Sequence, residues 1–387
     1  MFIVKATLPY FLLMKSFLTT ILCLLMMSAY AQSAKEILYV GTYSVRGSEG
    51  IYVFEFDRAT GNLKQMQTVP NDKSPSFLAI HPSGKYLYSV NEGADKNGGV
   101  SAYAIEPKTG NLNPLNQQPS KGRGPCHVSV DQTGKLAFVS NYGGGTFTVL
   151  PIKADGTLGE PTESMEYTGS GPNQQRQEKP HIHSATLSPD NRFVYVADLG
   201  SDKVYIYDID PASGKVKPAA TPFVSVKPGS GPRHLAIHPN GRYVYVVEEL
   251  TSAVATFKRD AKTGALTLIQ DNVKTLPADF SGNNTSADIH TDPTGKYLYQ
   301  SNRGYNALAI LSIAKDGTVT LMGQQPTGGK TPRNFMVDPK GQYVLAANQE
   351  TDNITVFRLD PKTGKLTDTG KSVSVPSPVC LKLMTVQ

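Results

Sequence analysis

The residues able to do chemistry in this chain cluster at two recurring places. The first lies five or six residues ahead of a turn proline or its equivalent. It holds Cys126 and His127, His183 and Ser184, Arg233 and His234, Ala287 and Asp288, and Arg333 and Asn334. The second lies just past the strand that follows each turn, and holds Glu92, Tyr142, Leu199, Glu249, Arg303 and Gln349. Charge gathers at His183, Arg233, Glu249 and Arg303. Two arginines with one acidic partner leave positive charge to spare, which suits a carboxylate, a phosphate or a developing oxyanion. An imidazole or carboxylate beside them can move protons near neutral pH. The expected catalytic set is therefore His183, Arg233, Glu249 and Arg303, with either Glu249 or His183 as general base. His127, His234, Asp288 and Arg333 are expected to bind substrate and shape the site. His127 and His234 have the alternative of holding loop carbonyls. No Cys/His spacing suits zinc, no Gly-rich loop precedes Lys-Ser/Thr, and no G-x-S-x-G elbow occurs, so neither a metal nor a cofactor is expected.

The elements that must position these groups follow from a repeat. A turn of the form His81-Pro82-Ser83-Gly84-Lys85 recurs around Gly134, Asn191, Gly241, Gly295 and Gly341, at steps of 50, 57, 50, 54 and 46 residues. Proline sets φ early in such a turn, and Gly or Asn tolerates positive φ later. Short alternating or β-branched runs flank each turn, and a second turn at 106–112 and 360–366 leads to a fourth strand. Units of four short strands at this spacing are propeller blades. Six units are complete. The N-terminal stretch at 37–57 lacks a first strand, and the tail at 377–383 matches the first-strand segment at 74–80. The reading is an all-β, seven-bladed β-propeller of four antiparallel strands per blade, closed by the C-terminal strand pairing into the N-terminal blade. In that geometry the start of strand one and the end of strand two share one face, so both recurring places converge on one mouth of the central channel. The connection at 163–180 is an extra excursion on that face, either covering the mouth or idle.

The chain has 387 residues and a formal net charge of +6, with no run of five or six Lys/Arg, so no nucleic-acid partner is expected. Residues 1–31 carry Lys5 and Lys15, an apolar run at 17–27 and Ala29-Tyr30-Ala31, the pattern of a secretory signal peptide. The rest, 32–387, reads as a single domain, periplasmic or secreted, free of the membrane after signal cleavage and monomeric. Beyond the leader only Cys126 and Cys380 remain, and both are expected as free thiols.

The motifs Gly124-Pro125-Cys126-His127, His181-Ile182-His183-Ser184-Ala185, Gly231-Pro232-Arg233-His234-Leu235, Glu248-Glu249-Leu250, Ala287-Asp288-Ile289-His290 and Thr331-Pro332-Arg333-Asn334-Phe335 carry a family resemblance over about 37–383. The chain resembles the propeller lactonases, which include bacterial 6-phosphogluconolactonases and fungal carboxymuconate-lactonizing enzymes. The resemblance implies a seven-bladed fold, no cofactor, and a His, an Arg, a Glu and a second Arg in the channel mouth, matching His183, Arg233, Glu249 and Arg303. Glu248 departs from the family pattern, which has Asn there. The implied activity is hydrolysis of a sugar-derived lactone, the partner being a small-molecule lactone or anionic sugar acid. The alternatives are a lactonizing lyase or isomerase of muconate type, and a non-catalytic ligand-binding propeller. A signal peptide points away from a cytosolic phosphorylated sugar and toward unphosphorylated or scavenged lactones.

Overall fold

The computed structural model describes residues 35–93 and 98–386 together with Phe2; the expected signal peptide otherwise lies outside the described residues. Seven sheets of four antiparallel strands form the seven blades. The second to seventh blades are consecutive in the chain, with innermost strands Leu78–Ile80, Pro125–Val130, Ile182–Leu187, Pro232–Ile237, Thr285–Thr291 and Pro332–Val337. The first blade is composite. Its three outer strands are Lys35–Thr42, Gly50–Asp57 and Asn62–Pro70, and its innermost strand is the C-terminal Pro378–Val386. Every residue of Lys35–Thr42 is paired with that tail, from Lys35↔Val386 to Thr42↔Pro378.

The second strand of each blade is sandwiched between neighbouring blades, which explains its nearly unbroken apolar run. Phe193–Asp198, Tyr243–Glu248 and Tyr343–Asn348 are buried throughout, whereas the outermost Leu112–Gln118 is mostly exposed. The core is accordingly a series of apolar slabs between blades. One packs Phe193 and Tyr195 of the fourth blade on Val244, Val246 and Phe257 of the fifth.

The repeated tyrosines bind one blade to the next. Tyr39, Tyr88, Tyr195 and Tyr299 are fully buried, and their hydroxyls donate to the carbonyls of Gly110, Gly156, Gly264 and Gly364 at 2.8, 3.0, 2.9 and 2.8 Å. Each acceptor lies in the outer turn of the following blade. Gly110 shows why that turn needs glycine: its φ is +76°, and a Cβ there would meet Ile37 Cγ1 at 2.6 Å. The turn histidines His81 and His238 make a parallel link, each placing Nε2 2.9 Å from a carbonyl in the next blade, of Gly134 and Gly295.

One irregularity positions the site. The pairing of strand one with strand two slips at Pro125/His127, Ile182/Ser184, Pro232/Leu235, Ser286/Ile289 and Pro332/Asn334. In a regular strand successive side chains face opposite sides. A bulge re-aims them. Here it lets two consecutive residues, such as Arg233 and His234, both border the channel.

Candidate functional site

The channel is not an open pore. Phe77, His127, His183 and His234 form an aromatic partition across it. Ring centroids are 4.3 Å apart for Phe77–His127, 5.5 Å for His127–His234, 5.7 Å for Phe77–His234 and 5.2 Å for His183–His234. On one side lies a small mouth chamber lined by Tyr43, Ser76, Glu92, Cys126, His183 and Arg233, with Arg333 beside them. On the other lies a larger chamber that His127, Ser184, Asp288, His290, Asn334 and Lys382 help to line. Phe77 and His234 border both.

Glu249 is the hub beside the mouth. It is 3% exposed and ringed by guanidiniums. Arg233 Nε lies 2.9 Å and Arg303 Nη2 3.2 Å from its Oε2, and Arg176 Nη2 lies 2.6 Å from its Oε1. Burial presses the Glu249 pKa upward, yet Arg303, Arg233 and Arg176 overcome it and hold the carboxyl at about 2. Arg303 also donates to the Ser286 carbonyl at 2.9 Å, and Arg233 Nη1 to the Ala287 carbonyl at 2.5 Å. His183, Arg233, Glu249 and Arg303 therefore do come together, from three consecutive blades.

Glu92 is the second carboxyl of the mouth, on the opposite side of the ring. Ser76 Oγ donates to its Oε2, and Tyr43 OH to its Oε1 at 3.3 Å. Burial raises its pKa and outweighs the opposing Arg333, Ser76 and Tyr43. Arg333 lies over the Tyr43 ring at 5.3 Å and has no ion-pair partner within reach among the described residues. Burial, with Arg233 and His234 nearby, holds the His183 pKa well below its ordinary value, so the imidazole is neutral at pH 7. Two carboxyls pushed apart in pKa, beside a neutral imidazole, are the separation that acid–base chemistry requires.

Of the three remaining expected site residues, two lie beyond the mouth. His127 and Asp288 line the larger chamber, and His234 stands in the partition. Asp288 holds His234 Nδ1 at 2.7 Å through Oδ1, and His290 Nε2 at 2.9 Å through Oδ2, with Asn334 Nδ2 donating to the same Oδ2. His234 Nε2 in turn lies 3.4 Å from Arg233 Nη1. Burial, with Arg233 beside it, lowers the His234 pKa to about 4. The neutral ring gives its Nδ1 proton to Asp288 and presents a lone pair to Arg233. Neither His127 nor His234 holds a loop carbonyl among the contacts described. Both remaining cysteines are buried free thiols.

Arg176 has no counterpart in the repeat. It comes from the excursion at 167–181, which is tied down by the buried Gln177, whose Nε2 donates to the Leu199 carbonyl at 2.9 Å and to Asp202 Oδ1 at 2.8 Å. Lys179 Nζ donates to the Gly143 carbonyl at 2.8 Å. The excursion thus sets one guanidinium over the mouth. Only its arginine and its position on the mouth face signal this in the sequence.

Glu248, the departure from the family pattern, points away from this cluster. It is fully buried, Thr251 Oγ1 donates to its Oε2 at 3.1 Å, and its Oε1 has no partner among the described residues. Burial raises its pKa to about 7. A raised folded-state pKa adds stability that is complete below the unfolded value and is lost as pH rises through 7. Glu248→Gln, with no charge to bury, is therefore expected to melt higher than wild type at pH 8, by up to about 3 kcal/mol. At pH 5 the two should melt nearly together; equal melting at both pH values would contradict the buried carboxyl.

Among the described residues no three His, Cys, Asp or Glu side chains come together as a metal-binding group, and no helix is long and apolar enough to cross a membrane. A family model for the seven-bladed β-propeller lactonases matches residues 37–383. The chain is 38% identical over 351 residues to a 6-phosphogluconolactonase of Bacillus subtilis, covering 90% of this chain and 99% of that protein. It is 36% identical over 360 residues to a 6-phosphogluconolactonase of Formosa agariphila, again covering 90% and 99%. The crystal structure of a periplasmic gluconolactonase from Pseudomonas aeruginosa superposes with a TM-score of 0.86 at 33% identity, covering 92% of this chain and all of that one. A match of this length and depth, on a ring of seven blades closed by its own tail, places the chain in the seven-bladed β-propeller lactonases, a family of carboxylic ester hydrolases.

Proposed function

We propose that the mouth chamber hydrolyses a sugar-derived lactone, with His183 as the general base, Glu92 as the proton donor and the arginines as electrostatic stabilisers. The observation that carries this reading is the surplus of positive charge: four guanidiniums, of Arg176, Arg233, Arg303 and Arg333, face two carboxyls around one neutral imidazole. The neutral His183 takes a proton from water as the water oxygen attacks the lactone carbonyl carbon. The oxyanion that forms is met by Arg233, held in place by Glu249 and His234. The bond from carbonyl carbon to ring oxygen then breaks, and the leaving oxygen takes the proton held by Glu92. Glu249 is poorly suited as base, because both its oxygens are engaged by arginines. Its part is to anchor the guanidiniums.

Arg333 is the uncommitted cation, suited to an anionic substituent of the sugar. The mouth holds only about 10 Å³ of free space, so a sugar enters only once the side chains around it move apart. Arg176 is the most exposed of the cluster, its side chain 36% accessible. The N-terminal leader pattern, and a structural relative named as periplasmic, support an exported enzyme.

The test is a panel of sugar lactones, phosphorylated and not, followed by pH-stat against the spontaneous rate. Wild type is expected to exceed that rate, and His183→Ala to lose about 100-fold or more. Glu92 acts protonated, so activity falls as pH rises through its raised pKa, and Glu92→Gln should lack that alkaline limb. An unchanged profile in Glu92→Gln would remove Glu92 from the mechanism, and wild-type rates no faster than spontaneous opening would remove the reading.

A further inference from the structure

The larger chamber beyond the partition is a cavity of about 400 Å³. That lies within the range of small-molecule sites, roughly 300–1,000 Å³. Its walls combine aliphatic side chains such as Leu78, Val128 and Ile289 with polar groups that converge from six blades. The bulges make it a separate compartment. His183, Arg233 and Arg333 belong to the mouth, while the next residue of each strand, Ser184, His234 or Asn334, borders the chamber.

Two of its polar groups have neither an ion-pair nor a hydrogen-bond partner among the described residues. Lys382, half-buried on the C-terminal strand, makes no ion pair among the described residues, and its ammonium lies 4.9 Å from the Phe77 ring centroid. Ser184 is 1% exposed as a residue, and its buried hydroxyl has no hydrogen-bond partner among the described residues. Asp288 does not answer the Lys382 charge, because two imidazoles and the Asn334 amide take both its oxygens. His127 adds an imidazole that burial, with His234 and Lys382 nearby, keeps neutral. One unanswered cation in a walled cavity focuses field on an anion, and a buried hydroxyl without a partner costs free energy that a ligand hydrogen bond recovers.

We propose that this chamber is a second binding site, taking a small hydroxycarboxylate anion, its carboxylate on Lys382 and a hydroxyl on Ser184. This is the chemical class that lactone opening releases, and that link rests on the function proposed above; the site itself does not. The ligand would bear on turnover through His234, which touches Arg233 on the mouth side. Inhibition by the hydroxy acid is then of mixed type.

The experiment is calorimetric titration of the full-length protein with D-gluconate and, separately, with inorganic phosphate. It is repeated in Arg303→Met, which disables the mouth, and in Arg303→Met combined with Lys382→Met or Ser184→Ala. Arg303→Met is expected to keep one gluconate site. Adding Lys382→Met should weaken that site about tenfold or more, the scale of one lost charge-assisted contact. Ser184→Ala should weaken it less, and Lys382→Arg should restore it. In kinetics, Lys382→Met alone should turn mixed gluconate inhibition into purely competitive inhibition. Gluconate binding that vanishes with Arg303→Met, that ignores both Lys382→Met and Ser184→Ala, or that phosphate matches in affinity overturns the proposal. Should wild type bind gluconate in the chamber yet open no lactone, the mouth reading fails and the chamber stands. Melting curves of each variant identify any that has not folded, and Ser184→Ala then carries the test.

Discussion

Glu249→Gln is expected to lower kcat/KM for lactone opening by about 100-fold or more, the scale of losing one well-placed electrostatic group. The amide keeps the size of the carboxyl but removes the charge that draws Arg176, Arg233 and Arg303 together. Arg303 responds most. Burial, together with Arg233 and Arg333, already presses its pKa down to about 9 against the pull of Glu249. Without that pull the buried guanidiniums repel, and the partly exposed Arg176 leaves first. Breaking a buried pair on one side costs about 3–5 kcal/mol, so a lower melting temperature should accompany the loss. Glu249→Asp keeps the charge with a shorter reach, so it anchors the guanidiniums in altered positions and should recover stability more than rate. Steady-state kinetics beside calorimetric melting measure both. A Glu249→Gln enzyme of wild-type rate would show that the arginines need no shared carboxylate.

The second large effect concerns the ring itself. Deleting residues 378–387 is expected to abolish cooperative folding. The deletion removes the inner partner of Lys35–Thr42, leaving that strand paired only with Gly50–Asp57, and exposes an edge whose Ile37, Leu38, Tyr39 and Val40 are fully buried. It also removes the buried Val379, Cys380 and Leu381, and the Leu381 N–H bond to Asn334 Oδ1 at 2.7 Å. Burying each such side chain is worth about 1.5–3 kcal/mol, against a typical total stability of about 5–15 kcal/mol. Circular dichroism melts and size-exclusion chromatography should show a truncated chain that is expanded or aggregated. A sharp transition near the wild-type temperature would mean that six blades hold the ring without the seventh.

The blade count and the closure were legible because each blade repeats its turn chemistry, and because the tail at 377–383 carries the first-strand pattern that the N-terminal blade lacks. The convergence of His183, Arg233, Glu249 and Arg303 was legible for the same reason: equal registers in a ring meet at one axis. That register also includes Glu92, yet nothing in a linear reading shows that Ser76 and Tyr43 will hold it, since Tyr43 comes from the composite blade. Arg176 was hidden because an excursion outside the repeat has no register. His127 and Asp288 line the larger chamber while His234 borders both chambers, a division between two adjacent registers that the linear sequence does not display. A bulge has no reliable composition signature, and it is the bulge that sends neighbours such as His183 and Ser184 to opposite sides of the aromatic partition.

The pairing of Lys35 with Val386 joins residues from the two ends of the described chain. The innermost strand of the first blade therefore leaves the ribosome after every other described strand. Until it emerges, the nascent chain carries an open edge at Lys35–Thr42 and cannot complete the ring. Native assembly is in this sense timed by the emergence of Pro378–Val386, and a chain stopped before it displays an unpaired apolar strand of the kind that invites aggregation.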